Sequence, residues 1–256
     1  MKQMLVGVSI IALVAASVYA DDKKNPCATP LGPTPGQEKY DRGWTSRHKS
    51  LVERAKKGGI DVIFLGDSAV FDWENNGKKV WAANFDKLKA ANFGIRNELT
   101  QKLLWRITDG KELEGVSPKV AVLMIGFYNT FSFSPEQTAE GVGAIVSTLR
   151  KKNIKVLLLG IFPRVGQHNF FFDDPKKSVI PAADVTFVTS KIKQTNDIIK
   201  KLDDGKNIVY MDIGPKFLTE DGGLSRDIMP NLESLSEKGY QIWADAITPK
   251  LQEMLK

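Results

Sequence analysis

A chain of 256 residues, of which 42% are hydrophobic and 26% charged, is typical of one globular α/β domain. The formal net charge is +6, but the lysines occur as pairs scattered near expected helix ends and loops, which does not favour binding to nucleic acid. Cys27 is the only cysteine, so no internal disulfide can form and the fold must depend on its hydrophobic core.

The N-terminal residues have the three parts of a cleavable secretory signal. Lys2 is a short basic region, residues 4–18 form an apolar core, and residues 18–20 are a small-x-small cleavage site. The apolar run is too short, and too soon followed by charged residues, to predict a membrane span. We therefore expect residues 1–20 to be a signal peptide. The mature chain should start at Asp21, lack a transmembrane segment, and be secreted or periplasmic.

The rest of the chain divides into a lead-in and a folded domain. Residues 21–43 hold four prolines and little apolar content, which predicts an extended lead-in along the surface of a domain of residues 44–256. Apolar periodicity predicts helices at about residues 44–57, 80–88, 98–108, 135–152, 185–202 and 236–255. Short apolar runs predict strands at about residues 62–65, 89–93, 120–125, 155–159 and 208–212, with an irregular stretch at about 165–183.

Strands and helices alternate along the whole predicted domain. This pattern is typical of a parallel sheet that is covered by helices on both faces and joined by right-handed crossovers. The sequence shows no internal repeat and no second hydrophobic core. It therefore predicts one doubly wound α/β domain.

The first predicted strand ends in Gly66-Asp67-Ser68. Gly66 allows a sharp turn, and Ser68 falls just beyond the carboxyl end of the strand, where ligands bind in open α/β sheets. A serine at this edge can present its hydroxyl to a substrate. Asp67 and Ser68 are also good helix N-cap residues, so the tripeptide alone also fits a purely structural turn. In either case we expect Asp67 to hold the turn by hydrogen bonding.

This turn and several later blocks resemble the GDSL or SGNH hydrolase family, in particular the branch with platelet-activating-factor acetylhydrolase catalytic subunits and secreted bacterial relatives. The blocks are Asn92-Phe93-Gly94-Ile95, Leu104-Trp105-Arg106-Ile107, Ser117-Pro118-Lys119-Val120, Leu159-Gly160-Ile161-Phe162-Pro163-Arg164 and Leu235-Ser236-Glu237-Lys238-Gly239-Tyr240. The resemblance covers residues 44–255. It implies a flavodoxin-like sheet of five parallel strands in the order 2-1-3-4-5, and hydrolysis of acyl esters, often acetyl groups on lipids or sugars.

The resemblance also assigns the family's catalytic positions. In the family, a serine attacks the ester carbonyl, and the serine N–H, a glycine N–H and an asparagine side chain hold the oxyanion. An aspartate and a histidine, three residues apart, orient and deprotonate the serine. Here Ser68 is retained, Asn97 stands at the glycine position and Tyr128 at the asparagine position. Asn231 replaces the aspartate and Ser234 replaces the histidine.

The altered positions favour a protein that has lost ordinary ester hydrolysis and binds a ligand or a partner. Loss of a triad histidine costs about a million-fold in a serine protease, and an asparagine in place of the aspartate costs about ten-thousand-fold. A small acyl-ester or carbohydrate-like ligand fits the family, and we expect no cofactor and no metal. Phe127, Phe131 and Phe133 lie beside Tyr128 in the sequence and suggest an aromatic-lined pocket. The oligomeric state stays open.

An active esterase that uses Ser68 with a rearranged base is the alternative, and a purely structural role is a third. The chain has two histidines. His48 on the first helix is expected to be structural, whereas His168 follows the fourth strand, where loops open at the same sheet edge. Glu233 neighbours the lost histidine, but a carboxylate is a poor base for a serine hydroxyl. The three phenylalanines at 170–172 are expected either to form a lid or to pack on the scaffold.

Overall fold

The structure is a computed structural model that describes residues 24–33, 42–164 and 178–256. The predicted signal peptide, His168 and residues 170–172 lie outside these ranges. Within them, the central sheet consists of five parallel strands: β1 (Val62–Gly66), β2 (Ala90–Gly94), β3 (Val120–Met124), β4 (Lys155–Leu159) and β6 (Ile208–Met211). Their order is β2-β1-β3-β4-β6. The predicted order 2-1-3-4-5 is therefore confirmed, because the intervening β5 (Val179–Ile180) belongs to a separate antiparallel pair with β7 (Leu224–Ser225).

Helices cover both faces of the sheet. They are α1 (Arg42–Lys56), α2 (Ser68–Phe71), α3 (Lys78–Asn84), α4 (Thr100–Ile107), α5 (Pro135–Lys151), α6 (Ala182–Val188), α7 (Ser190–Ile199) and α8 (Glu237–Leu255). Alternate side chains of β1 point to opposite faces: Val62 and Phe64 pack towards α3 and α8, while Ile63 and Leu65 pack towards α1, α4 and α5. None of the helices in the described ranges is both long and apolar enough to cross a membrane.

Three predicted segments differ from the structure. The helix expected at 80–88 is α3, which ends at Asn84 and is followed by a 3-10 turn at Asp86–Leu88. The single helix expected at 185–202 is divided into α6 and α7, followed by a 3-10 turn at Lys200–Leu202. The division falls at a run rich in β-branched residues, which are weak helix formers, and the hydroxyl of Thr189 donates to the carbonyl of Val185 at 2.7 Å. The stretch expected to be irregular at 165–183 contains β5, which at two residues is too short to give a periodic pattern.

The part of the predicted lead-in that is described, residues 24–33, is anchored to the domain at Cys27. Pro26–Ala28 forms a 3-10 turn that places Cys27 at 0% exposure. The Thr100 hydroxyl donates to the Cys27 carbonyl at 2.9 Å, and the N–H of Leu31 donates to the carbonyl of Gln101 at 3.0 Å. The other described residues of this segment are exposed or half-buried, and Cys27 behaves as a small apolar side chain that packs against α4 and α5.

Candidate active site

The turn that carries Ser68 is held by close backbone packing. Ser68 is the first residue of α2, immediately after β1, and it is 6% exposed. Asp67 is the N-cap of this helix, and its Oδ1 accepts a hydrogen bond from the Ala69 N–H at 3.0 Å. A Cβ atom added at Gly94 would lie 2.3 Å from the backbone nitrogen of Phe71, so only glycine lets β2 approach so closely. The role predicted for Asp67, holding the turn, is confirmed.

Two groups from neighbouring loops converge on the Ser68 hydroxyl. The backbone N–H of Asn97 donates to Ser68 Oγ at 3.0 Å, and Tyr128 Oη lies 2.9 Å from the same atom. Tyr128 donates its only hydroxyl proton to Glu233 Oε1 at 2.6 Å. Tyr128 Oη must therefore accept the proton of Ser68, which gives a directed chain from Ser68 through Tyr128 to Glu233.

Asn97 adopts the backbone conformation that its sequence position calls for. Its φ is +56°, in the left-handed region where glycine is favoured and asparagine is the best tolerated substitute. This conformation directs the Asn97 N–H at Ser68. Asn97 thus brings a backbone donor to the serine, while its side chain is exposed on the loop.

Tyr128 is a neutral, well-packed phenol in this site. It begins a 3-10 turn, Tyr128–Phe131, just beyond β3, and its ring meets that of Phe127 edge-on at 5.1 Å. Burial raises the pKa of Tyr128, and the negative charge of Asp67 raises it further. Tyr128 therefore keeps its proton at neutral pH, and it can relay a hydrogen bond without serving as a base.

A buried ion pair lies beneath the serine turn. Arg164, just beyond β4, places Nη2 2.5 Å from Asp67 Oδ2, and both side chains are 1% exposed. The guanidinium carbon also lies 3.8 Å from the centroid of the Phe127 ring. Burial raises the pKa of Asp67, and the charge of Arg164 opposes that rise. The pair ties the end of β4 to the serine turn.

The family assignment follows from a direct comparison. The model of the GDSL-like lipase/acylhydrolase family matches residues 64–242. The chain belongs to this family.

Individual relatives agree with the branch that the sequence blocks suggested. The chain is 33% identical over 212 residues to platelet-activating factor acetylhydrolase IB subunit alpha1 of Rattus norvegicus, a match that covers 81% of this chain and 82% of the relative. The Homo sapiens protein of that name is 32% identical over 222 residues, covering 85% and 86%. A GDSL-like lipase from Bacteroides thetaiotaomicron shares the fold, with a TM-score of 0.62 and 16% identity over 84% of this chain and 97% of that chain.

The last sequence block of this GDSL-like protein reaches the site through Glu233, not through Ser234. Asn231 Oδ1 accepts hydrogen bonds from the backbone N–H groups of Glu233 at 3.1 Å and Ser234 at 2.7 Å. The Asn231 amide also donates to Ser234 Oγ at 3.4 Å. Asn231 and Ser234 therefore stabilise a local turn, and this turn presents Glu233 to Tyr128.

His48, the histidine within the described residues of this GDSL-like protein, lies in a separate buried network. Its Nδ1 is 2.7 Å from Glu112 Oε1, and Arg106 binds both Glu112 and Glu98. The structural role expected for His48 is thus confirmed. Burial raises the pKa of Glu98 to about 7 against the opposing charge of Arg106. Because Glu98 follows Asn97 directly, the network holds the loop that delivers the Asn97 N–H.

Asn129, the next residue in the 3-10 turn of Tyr128, anchors that turn to α4 and to the N-terminal segment. Its Oδ1 accepts from the backbone N–H of Thr100 at 3.0 Å, and its amide nitrogen lies 3.3 Å from Cys27 Sγ. The amide of Asn129 thus faces α4 and the N-terminal segment, whereas the phenol of Tyr128 faces Ser68. Asn129 therefore does not direct its amide at Ser68.

Sequence reasoning overlooked Arg164 and set Glu233 aside. Arg164 belongs to a block that carried the family resemblance, so its place in a family motif was visible, but its pairing with Asp67 depends on the alignment of β1 and β4 in space. Glu233 was considered only as a base. Glu233 could be recognised as the hydrogen-bond acceptor of Tyr128 only once the structure of the turn at Asn231 was known.

Proposed function

We propose that this GDSL-like protein is impaired in ester hydrolysis, is exported, and binds a small acyl-ester or carbohydrate-like ligand or a partner at the Ser68 site. One observation carries the proposal: the Ser68 hydroxyl donates to the phenol of Tyr128, which in turn donates to Glu233, so the acceptor of the Ser68 proton is not an imidazole. The serine is present, but the side chain that contacts its hydroxyl is a phenol, and a serine stands at the position that the resemblance assigns to the histidine.

A phenol cannot replace the imidazole. An ordinary tyrosine has a pKa of about 10, so roughly one molecule in a thousand is ionised at pH 7. Burial of Tyr128 lowers that fraction further. Glu233 does accept the Tyr128 proton in a hydrogen bond, but a carboxylate is far too weak a base to draw the proton of an alcohol through the phenol.

The oxyanion donors are reduced as well. The N–H of Asn97 already bonds Ser68 Oγ, and it supports retention of a site that can bind a polar oxygen. The phenol of Tyr128 can donate to an oxyanion only by leaving Glu233. Removing one such donor in a serine hydrolase costs about a hundred- to a thousand-fold in kcat. These two defects together support a binding role over turnover.

An ester assay tests the proposal. Purified protein and its Ser68→Ala variant should hydrolyse p-nitrophenyl acetate and butyrate at equal rates across pH 6 to 9. The active-esterase alternative predicts faster turnover that Ser68→Ala abolishes. In that case His168→Ala identifies whether this histidine is the rearranged base, with Lys79→Ala on the exposed surface of α3 as the control.

Export is supported by the three-part N-terminus at residues 1–20. Intact-mass measurement of protein from the native host should give a chain that starts at Asp21. A soluble chain that retains Met1 would contradict export without affecting the proposal about hydrolysis.

A further inference from the structure

A cationic cavity lies next to the Ser68 site, between α1, α2 and the loop that joins β2 to α4. Its volume is about 430 Å3. The side chains that matter here are Trp44, Arg47, Phe71, Arg96, Asn97 and Lys102. Three of these are cationic, and among the described residues that line the cavity none is acidic.

Arg96 is the cation that is best placed to meet a ligand. Its side chain is 54% exposed, although Nη2 is fixed 2.5 Å from the buried Asp72 carboxylate. The guanidinium carbon stacks 4.8 Å from the centroid of the Phe71 ring. A guanidinium has five N–H donors. One contact to Asp72 therefore orients the group and leaves a pair of N–H donors that can bind an oxyanion.

Arg47 also lines the cavity, with its guanidinium carbon 5.1 Å from the centroid of the Phe71 ring. It binds both carboxylate oxygens of Glu74, at 2.5 and 3.1 Å, and donates to the carbonyls of Asn92 and Gly94. These contacts use most of its donors and cap the open edge of β2. Arg47 therefore shapes the cavity and contributes positive electrostatic potential, but its N–H groups are not assigned to ligand binding.

Lys102 and Asn97 complete the cavity. The ammonium of Lys102 lies 5.0 Å from the centroid of the Trp44 ring, and both residues line the cavity. The exposed side chain of Asn97 lines the cavity, while its backbone N–H donates to Ser68 Oγ at 3.0 Å. A group bound in the cavity would thus contact Asn97, the residue whose backbone N–H donates to Ser68.

We propose that this cavity binds an oxyanion (phosphate, sulfate or carboxylate) carried by a ligand whose remainder extends to Ser68. Arg96 supplies a bidentate fork, Lys102 a point charge and Asn97 an amide donor. This inference rests on the proposed ligand-binding role of the Ser68 site, and it adds the chemical class of the ligand.

Calorimetric titration with methyl phosphate, sulfate and acetate at constant ionic strength tests this assignment. The protein should bind methyl phosphate with a dissociation constant of about 1 mM, and Arg96→Gln should weaken binding about tenfold. Lys102→Gln should weaken it about threefold. Arg96→Lys should restore part of the affinity, because it keeps the charge and loses the fork. Lys79→Gln, whose side chain is 83% exposed on α3, is the matched control and should change nothing.

Equal affinity in the parent protein, Arg96→Gln and Lys102→Gln, or no binding of any of the three anions, would overturn the inference. If Arg96→Gln unfolds because Asp72 loses its partner, Lys102→Gln alone decides. Calorimetry measures anion binding and product release measures ester turnover, so the two are separate readouts. Rapid Ser68-dependent turnover would contradict the proposed function while leaving the effects of Arg96 and Lys102 on anion binding in place.

Discussion

Replacing Tyr128 with phenylalanine removes one oxygen atom and tests whether that atom organises the site. The atom accepts from Ser68 at 2.9 Å and donates to Glu233 at 2.6 Å, and both partners are less than 9% exposed. Loss of a hydrogen bond to a charged group, with its buried partner left unsatisfied, costs about 2 to 3 kcal/mol. For a chain of this size, that loss lowers the melting temperature by about 5 to 10 °C.

Two further variants make the Tyr128 measurement specific. Tyr210 on β6 is a half-buried tyrosine whose hydroxyl has no hydrogen bond within the described residues, so Tyr210→Phe should cost less than about 0.5 kcal/mol in urea unfolding. In a Glu233→Gln background, Tyr128→Phe should cost less than it does alone, because the unpaired group is then neutral. If Tyr128→Phe is as stable as Tyr210→Phe, the hydrogen-bond chain does not hold the site together.

Three other changes test the loop, the buried network and the family positions. Asn97→Gly should keep stability within about 0.5 kcal/mol, whereas Asn97→Val, which cannot readily adopt a positive φ, should lose about 1 to 2 kcal/mol in urea unfolding. Glu98 has a folded pKa of about 7 against 4.5 for its ordinary value, so the folded state holds a proton that the unfolded state releases, and stability falls as pH rises through that window. Glu98→Gln should remove this slope of up to about 1.4 kcal/mol per pH unit; an unchanged slope between pH 5 and 7 would place the titration elsewhere. Ser234→His with Asn231→Asp should give weak esterase activity, and adding Tyr128→Asn and Asn97→Gly should give clear activity, since triad and oxyanion groups act as a unit. If the fourfold variant stays inactive while folded, the positions assigned from the family do not form its catalytic site.

Most of the sheet was predictable because its strands are short apolar runs that alternate with amphipathic helical segments. β1 and β3 are buried at every position, and such runs stand out in a sequence. The division between α6 and α7 was not predictable, because periodicity continues across Thr189 and local propensity ends the helix there. Short elements such as α2 and β5 carry too few residues for any period to appear.

The candidate site was predictable in its positions but not in its connections. Motif spacing placed Ser68, Asn97 and Tyr128 at one sheet edge, and the hydrogen bonds between them agree with that placement. The contact from Tyr128 to Glu233 joins residues 105 positions apart and depends on the direction of one side chain in a turn. Pairings of this kind are set by tertiary packing, which a single sequence does not display.

The central claim is that Ser68 lacks a base, and phosphonylation measures this without depending on acyl specificity. A small fluorophosphonate should react within minutes with Ser68 of the quadruple variant that carries Ser234→His, Asn231→Asp, Tyr128→Asn and Asn97→Gly. Intact-mass measurement should show one adduct, and adding Ser68→Ala should eliminate it. The unmodified protein, treated in the same way, should show no adduct over the same period. Rapid stoichiometric labelling of Ser68 in the unmodified protein would contradict the account, because it would show that the serine is activated as it stands.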